Sequence, residues 1–79
     1  MKKIAVFTAA GTGMGADAAK HLSSKGYDIA IMSSSGKGEE LAKELGGFGF
    51  TGSNLITKDI EMFFEKVLSK FYKVDVVVN

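Results

Sequence analysis

The sequence predicts an α/β fold built on a parallel sheet, in the order β-α-β-α-β-α-β. Two observations carry that prediction. Four short apolar runs, at residues 4–7, 27–32, 48–51 and 74–78, have the length of strands rather than helices. Three stretches with apolar residues at helical spacing separate them. Strands that alternate with helices are joined by right-handed crossovers, which leave the strands parallel. All the strand carboxyl ends then share one edge, where open α/β sheets receive their ligands.

The first run, Ile4-Ala5-Val6-Phe7, extends at most to Thr8 and feeds a glycine-rich turn through Gly11, Gly13 and Gly15. A helix follows from residue 13 or 14 to about residue 24. Its inward face is small: Gly15, Ala18, Ala19 and Leu22, so its axis can lie close to the sheet. Gly26 is placed as its carboxyl-terminal cap, and Lys20, His21 and Lys25 suit the negative end of the helix dipole. His21 reads as a solvated helix residue. A strand ending in such a turn aims main-chain N–H groups into one space at a helix amino terminus, which is a site for a phosphate. Glycine serves there because a side chain would hold the phosphate away or forbid a positive φ. The spacing is neither the G-x-G-x-x-G fingerprint nor a Walker loop. A tight turn of small residues, made only for close packing, accounts for it as well.

The second strand spans residues 27–32, with Ile29-Ala30-Ile31-Met32 as its buried run, and leads into the polar loop Ser33-Ser34-Ser35-Gly36-Lys37-Gly38. A short helix over residues 39–45 turns Leu41, Ala42 and Leu45 inward and its charges outward, and Gly46-Gly47 ends it. Phe48-Gly49-Phe50-Thr51 is poor in β-branched residues and interrupted by glycine, which suits a sheet edge. The third helix carries one stripe, Ile60, Phe63, Phe64, Val67, Leu68 and Phe71, with Thr57 as its N-cap and Lys58-Asp59 in its first turn. The last strand covers residues 74–78.

Composition bounds the function. Seventy-nine residues make one small domain or part of a larger one. A domain of this size buries only about 60% of its unfolded surface. A hydrophobic content of 46% and a charged content of 24% belong to a globular chain. Ten Lys and Arg against nine acids give a net charge of +1 with no basic block, so nothing points to nucleic acid. There is no cysteine and one histidine, which leaves no disulfide and no metal cluster to expect. The apolar run after Met-Lys-Lys stops near Phe7, short of the roughly seven to fifteen residues of a signal sequence. A soluble cytoplasmic protein, with no membrane partner, is the expectation.

Two marks then resemble a known family. Thr8-Ala9-Ala10-Gly11-Thr12-Gly13-Met14-Gly15 is similar to the T-G-x-x-x-G-x-G turn of the short-chain dehydrogenase/reductases, with Ala9 in place of the first glycine. Lys70-Phe71-Tyr72-Lys73-Val74-Asp75-Val76-Val77-Val78-Asn79 resembles the stretch leading into that family's N-N-A-G motif, up to its first asparagine. The spacing between the marks is also the family's. The resemblance covers the whole chain but only about the first third of a typical member. It implies a Rossmann-like three-layer αβα fold with strand order 3-2-1-4. Residues 1–79 would be the N-terminal part of a dinucleotide-binding domain, a truncated half.

The resemblance implies hydride transfer between a nicotinamide cofactor and a carbonyl or alcohol. The family uses a Ser and a Tyr-x-x-x-Lys pair, whose lysine lowers the phenol's pKa for general acid–base work. Neither Tyr27 nor Tyr72 has a lysine four residues later, so no catalytic residue is assigned and the chain alone is expected to be inactive. The cofactor half carries over position by position. Ala9, Gly11, Thr12, Gly13 and Met14 would cradle the pyrophosphate, with Gly15 serving packing. Ser33, Ser34 and Lys37 would meet the adenosine ribose. With no acid before Glu39 there, and with hydroxyls and a lysine able to hold a 2′-phosphate, the reading leans toward NADP over NAD. No Lys or Arg directly precedes Gly13, where many NADP-using members have one. Ser53 and Asn54 stand where the family often has an Asp that meets the adenine, and Asn79 matches the asparagine beneath the adenosine side. The serine loop and Asn54 equally suit plain turn roles.

Three accounts follow. The first is an N-terminal piece of an NAD(P)-dependent oxidoreductase, whose parent enzyme takes a small carbonyl or alcohol substrate and assembles as a homo-oligomer. The second is a stand-alone nucleotide-binding or interaction module without catalysis. The third, a receiver-like signalling domain, needs acids clustered at the strand ends, whereas Asp17, Asp28 and Asp59 lie on helices or at strand starts. In the first two, Val76-Val77-Val78 forms an exposed apolar edge, from which weak stability and self-association are expected.

Overall fold

Every residue of β1 (Ile4–Phe7) is buried, because the strand is covered on both faces. The computed structural model describes residues 2–8 and 13–78. After β1 come α1 (Gly13–Ser24), β2 (Asp28–Ser33), α2 (Lys37–Glu44), β3 (Phe48–Thr51), α3 (Thr57–Phe71) and β4 (Val76–Val78). The strands form one parallel sheet in the order β3-β2-β1-β4. This is the Rossmann-like 3-2-1-4 arrangement expected from the sequence.

Strand alternation divides the core into two layers. Ala5, Phe7, Ile29 and Ile31 face α1 and α2 and meet Ala19, Leu41 and Ala42. Ile4, Val6, Ala30 and Met32 face the other way and meet Phe63 and Val67 of α3. Burial on both faces is why β1 and β2 read as continuous apolar runs rather than alternating ones. Small residues line the α1 side, as Ala16, Ala18 and Leu22 also pack there. The α3 side is aromatic: Phe63 stacks on Phe48 and Phe50 with ring centres 6.3 and 5.8 Å away.

β3 is at a sheet edge, as its glycine suggested, and its glycine has a packing reason. Phe48 and Phe50 point toward α3, while Gly49 lies against α2, where a Cβ would come 2.6 Å from the Glu39 Cα. Gly26 closes α1: its N–H donates to the Ser23 carbonyl at 3.0 Å, and the next N–H, of Tyr27, reaches the Leu22 carbonyl at 3.1 Å.

The boundaries differ from the sequence reading in four places. β2 starts one residue later and includes Ser33, because the pairing with β3 continues to Ser33 opposite Thr51. α2 begins at Lys37, two residues early, since a hydrogen bond from the Gly38 N–H to the Ser33 hydroxyl secures its first turn, and it ends at Glu44, one residue early, with Leu45 as its cap. Thr57 is the first helical residue of α3 rather than its cap; Ile56 holds the cap position in extended geometry, with no side-chain cap bond. β4 is confined to residues 76–78, because Val74 packs into the α3 layer and Asp75 spends its carboxylate on the Ile4 N–H. Of the α3 stripe, Phe63 and Val67 are fully covered while Leu68 stays half exposed at its margin.

Candidate functional site

The parallel sheet brings the carboxyl ends of its strands to one edge, and the chain crosses it at Thr8, Ser33, Gly52 and Val78. Main-chain bonds hold these ends together: Thr8 N–H to the Val78 carbonyl at 3.1 Å, and Gly52 N–H to the Ser33 carbonyl at 2.8 Å. The helices that follow β1 and β2 cover one face, and α3, which precedes β4, covers the other. The sheet therefore reverses its winding between β1 and β4, and the carboxyl ends of those strands are where open α/β sheets receive a ligand.

Of the residues assigned to the phosphate turn, Ala9, Gly11 and Thr12 lie outside the described residues, as does Asn79. Gly13 and Met14 open α1. Gly13 has φ +67°, a conformation L side chains rarely adopt, and a Cβ placed on it would meet nothing within 4 Å. Its glycine is thus required by the path of the chain, not by crowding. Met14 is almost wholly exposed. The 12-residue helix that Gly13 opens has its first N–H groups and its positive dipole end on the carboxyl side of the sheet.

The loop from β2 to α2 is more structured than a polar linker. The Ser33 hydroxyl donates to the Ser35 carbonyl at 2.6 Å and accepts from the Gly38 N–H at 3.1 Å. The Ser35 hydroxyl accepts from the Lys37 N–H at 3.4 Å. Ser33 is buried, whereas Ser34 and Lys37 are exposed. Lys37 has no ion-pair partner among the described residues. The acid of this region, Glu39, accepts the Thr51 hydroxyl on β3 and so is engaged away from the loop.

The loop from β3 to α3 is likewise internally bonded. The Ser53 N–H donates to the Asp59 carboxylate at 2.9 Å, and the Ser53 hydroxyl accepts from the Leu55 N–H at 3.1 Å. Ser53 therefore shapes the turn, and Asn54 stands exposed at its tip. The sequence reading gave Asp59 only a place in the first helical turn. The backbone partner six residues upstream was not visible in it. Ser35 and Gly38 were also missed; a serine five residues before a glycine at a helix start was the available signal.

The remaining polar features lie elsewhere. Tyr27 precedes β2 and Tyr72 precedes β4, so both belong to the amino edge of the sheet, opposite its carboxyl edge. The Asp75 carboxyl, held below its ordinary pKa of 3.8 by the Ile4 N–H and then by Lys73, is at that same opposite edge. A surface depression of about 600 Å³ there is lined by Lys2, Lys3, Lys25, Gly26 and Tyr27. Among the described residues no group of His, Cys, Asp and Glu could hold a metal ion. No helix among them is long and apolar enough to cross a membrane.

The family model described as short chain dehydrogenase matches residues 3–79. No curated protein sequence matches. Solved structures match along nearly the whole chain. A 3-ketoacyl-(acyl-carrier-protein) reductase from Brucella melitensis, complexed with NADH, superposes with a TM-score of 0.90 at 29% identity, covering 95% of this chain and 32% of its own. A metagenomic short-chain oxidoreductase in complex with NADP gives 0.78 at 26% identity, covering 95% and 37%. A 3-ketoacyl-ACP reductase from Sinorhizobium meliloti gives 0.82 at 24% identity, covering 94% and 31%. The chain spans about a third of the length of these proteins.

Proposed function

The chain belongs to the short-chain dehydrogenase family, and from that premise we propose that it is the cofactor-binding portion of an NAD(P)-dependent oxidoreductase. The observation that carries this reading is Gly13: a left-handed residue on which a Cβ would meet nothing within 4 Å, at the start of a helix whose amino end lies at the switch point of a parallel sheet. The residues present fit a dinucleotide. In this reading residues 9–14 would supply main-chain N–H groups for the pyrophosphate, Ser34 and Lys37 would meet the adenosine ribose, and Asn54 would offer both a donor and an acceptor to an adenine edge. Asn79 completes the set proposed for the adenosine side.

When bound, the nicotinamide supplies hydride chemistry, exchanged in the parent enzyme with a small carbonyl or alcohol. The residues of this chain bind and orient; they move no proton. Among the described residues at the carboxyl edge, the hydroxyl, amide and ammonium groups include no general acid or base suited to that work, and the tyrosines Tyr27 and Tyr72 belong to the far edge. Binding without turnover is the function proposed for these 79 residues. The lean toward NADP rests on the exposed Ser34 hydroxyl and on Lys37, which has no ion-pair partner among the described residues and could hold a 2′-phosphate. The NADH-complexed relative supports the cofactor class, and the NADP-complexed one keeps the phosphate-bearing form in play.

Calorimetric titration of the chain with NADP, NAD and AMP tests the reading. Saturable binding of the dinucleotides, with NADP the tighter, is the expected result. Absence of binding by both dinucleotides overturns it.

A further inference from the structure

We propose that Met14 is a modification site: oxidation of its thioether to the sulfoxide by a peroxide blocks the phosphate end of the candidate cofactor site. The inference rests on the dinucleotide reading above and adds a control to it. The sequence has no cysteine and four methionines, so thioethers carry all of its sulfur chemistry. Three of the methionines lie among the described residues, and access to solvent separates them sharply. Met14 is 89% exposed, Met62 on α3 is 40% exposed, and Met32 in β2 is 0% exposed. Gly13 and Gly15 flank Met14, so neither chain neighbour has a side chain to shield its sulfur.

The step needs only a peroxide. A sulfur lone pair attacks one peroxide oxygen, and the S–O bond forms as the O–O bond breaks. The departing hydroxide takes the proton from the transferred oxygen and leaves as water. Sulfur is oxidised by two electrons and the peroxide is reduced by the same two. The product is polar, and its oxygen accepts hydrogen bonds but has no proton to donate. Its position decides the effect. Met14 is the second residue of α1, in the first turn, where main-chain N–H groups have no partner inside the helix. Those N–H groups are the donors proposed for the pyrophosphate, and the positive end of the helix dipole lies with them. A sulfoxide oxygen on this long, flexible side chain can turn back to the same N–H groups, as a capping side chain does. It then competes with a phosphate for them, and its partial negative charge repels the anion. A sulfoxide at Met62 forms on α3 and leaves the first turn of α1 alone.

The experiment treats the 79-residue chain, Met14→Leu and Met62→Leu with hydrogen peroxide, maps the sulfoxides by peptide mass spectrometry, and measures NADP and NAD affinity before and after. Met14 is expected to oxidise first, Met62 more slowly and Met32 last, with saturating NADP slowing Met14 alone. Oxidation at Met14 is expected to weaken both dinucleotides about tenfold, with the circular dichroism spectrum unchanged. Met62→Leu loses affinity in the same way, whereas Met14→Leu keeps through peroxide whatever affinity it has at the start. Treatment with the two methionine sulfoxide reductases and a dithiol restores the unaltered chain. Three results overturn the inference while leaving dinucleotide binding in place: oxidation of Met14 no faster than Met62, full affinity in chain that carries the Met14 sulfoxide, or an equal loss in Met14→Leu. If the untreated chain binds neither dinucleotide, the proposed function itself fails, and the inference with it.

Discussion

The Asp75 carboxylate accepts the Ile4 N–H at 2.8 Å while the Asp75 N–H donates to the Ile4 carbonyl at 3.0 Å. This reciprocal pair fixes where the chain, returning from α3, joins the far side of β1. Lys73 adds an ion pair at 3.1 Å to the same oxygen. Main-chain and lysine partners both favour the ionised form, and the Ile4 bond is the larger influence, so the folded pKa lies below 3.8. A depressed carboxyl pKa contributes stability that is fully present above the unfolded value and disappears as pH falls through the folded one. Urea unfolding from neutral pH down to pH ~3 is therefore expected to show an acid limb that Asp75→Asn flattens. An unchanged limb in that variant would assign acid sensitivity to other carboxylates.

Close approach of α2 to the sheet predicts a contrast between two glycines. Gly49→Ala would set a Cβ 2.6 Å from the Glu39 Cα, a backbone atom that cannot swing aside. A loss of about 1–3 kcal/mol in urea unfolding is expected. Gly36→Ala, at φ −65° with nothing within 4 Å, is expected to be neutral or stabilising.

Phe63 is the centre of the aromatic layer, fully buried and stacked on both Phe48 and Phe50. Phe63→Ala is expected to cost about 3–5 kcal/mol, a large share of what a small domain has. Circular dichroism should show that variant losing its cooperative thermal transition, whereas Leu68→Ala, half exposed, keeps it.

In the proposed function Gly13 couples the backbone to the ligand. With φ at +67°, Gly13→Ala forces a left-handed alanine or moves the turn. Cofactor affinity is expected to fall by roughly tenfold for NADP and NAD alike, and further for Gly13→Asp, whose charge faces the phosphates. Equal affinity in both variants would separate the turn from the binding.

The fold was legible because each level of the sequence agreed with the next. The doubly buried runs of β1 and β2, the small face of α1 and the phenylalanine stripe of α3 each have one solution in a parallel sheet with helices on both sides. The glycine of β3 was legible as an edge signal, though its closer cause, the passage of α2 over Gly49, needed the third dimension. The candidate site is proposed as a place more than as contacts. Chain order alone puts the 11–15 turn, the serine loop and Ser53-Asn54 on one edge. Which hydroxyl is spent could not be read, because hydrogen bonds such as Ser33 to Gly38 and Ser53 to Asp59 depend on how tightly the turns fold. Neighbouring serines with equal chemistry in the sequence divide in the structure into buried Ser33 and exposed Ser34.

The most direct measurement is the set of amide shifts in an isotope-labelled chain titrated with NADP. The expected perturbations cluster at the carboxyl edge, on Gly13, Met14 and residues 34–38, and leave Lys2, Lys25, Tyr27 and Tyr72 at the opposite edge unmoved. Perturbations centred on that opposite edge, or none at saturating cofactor, would contradict the account.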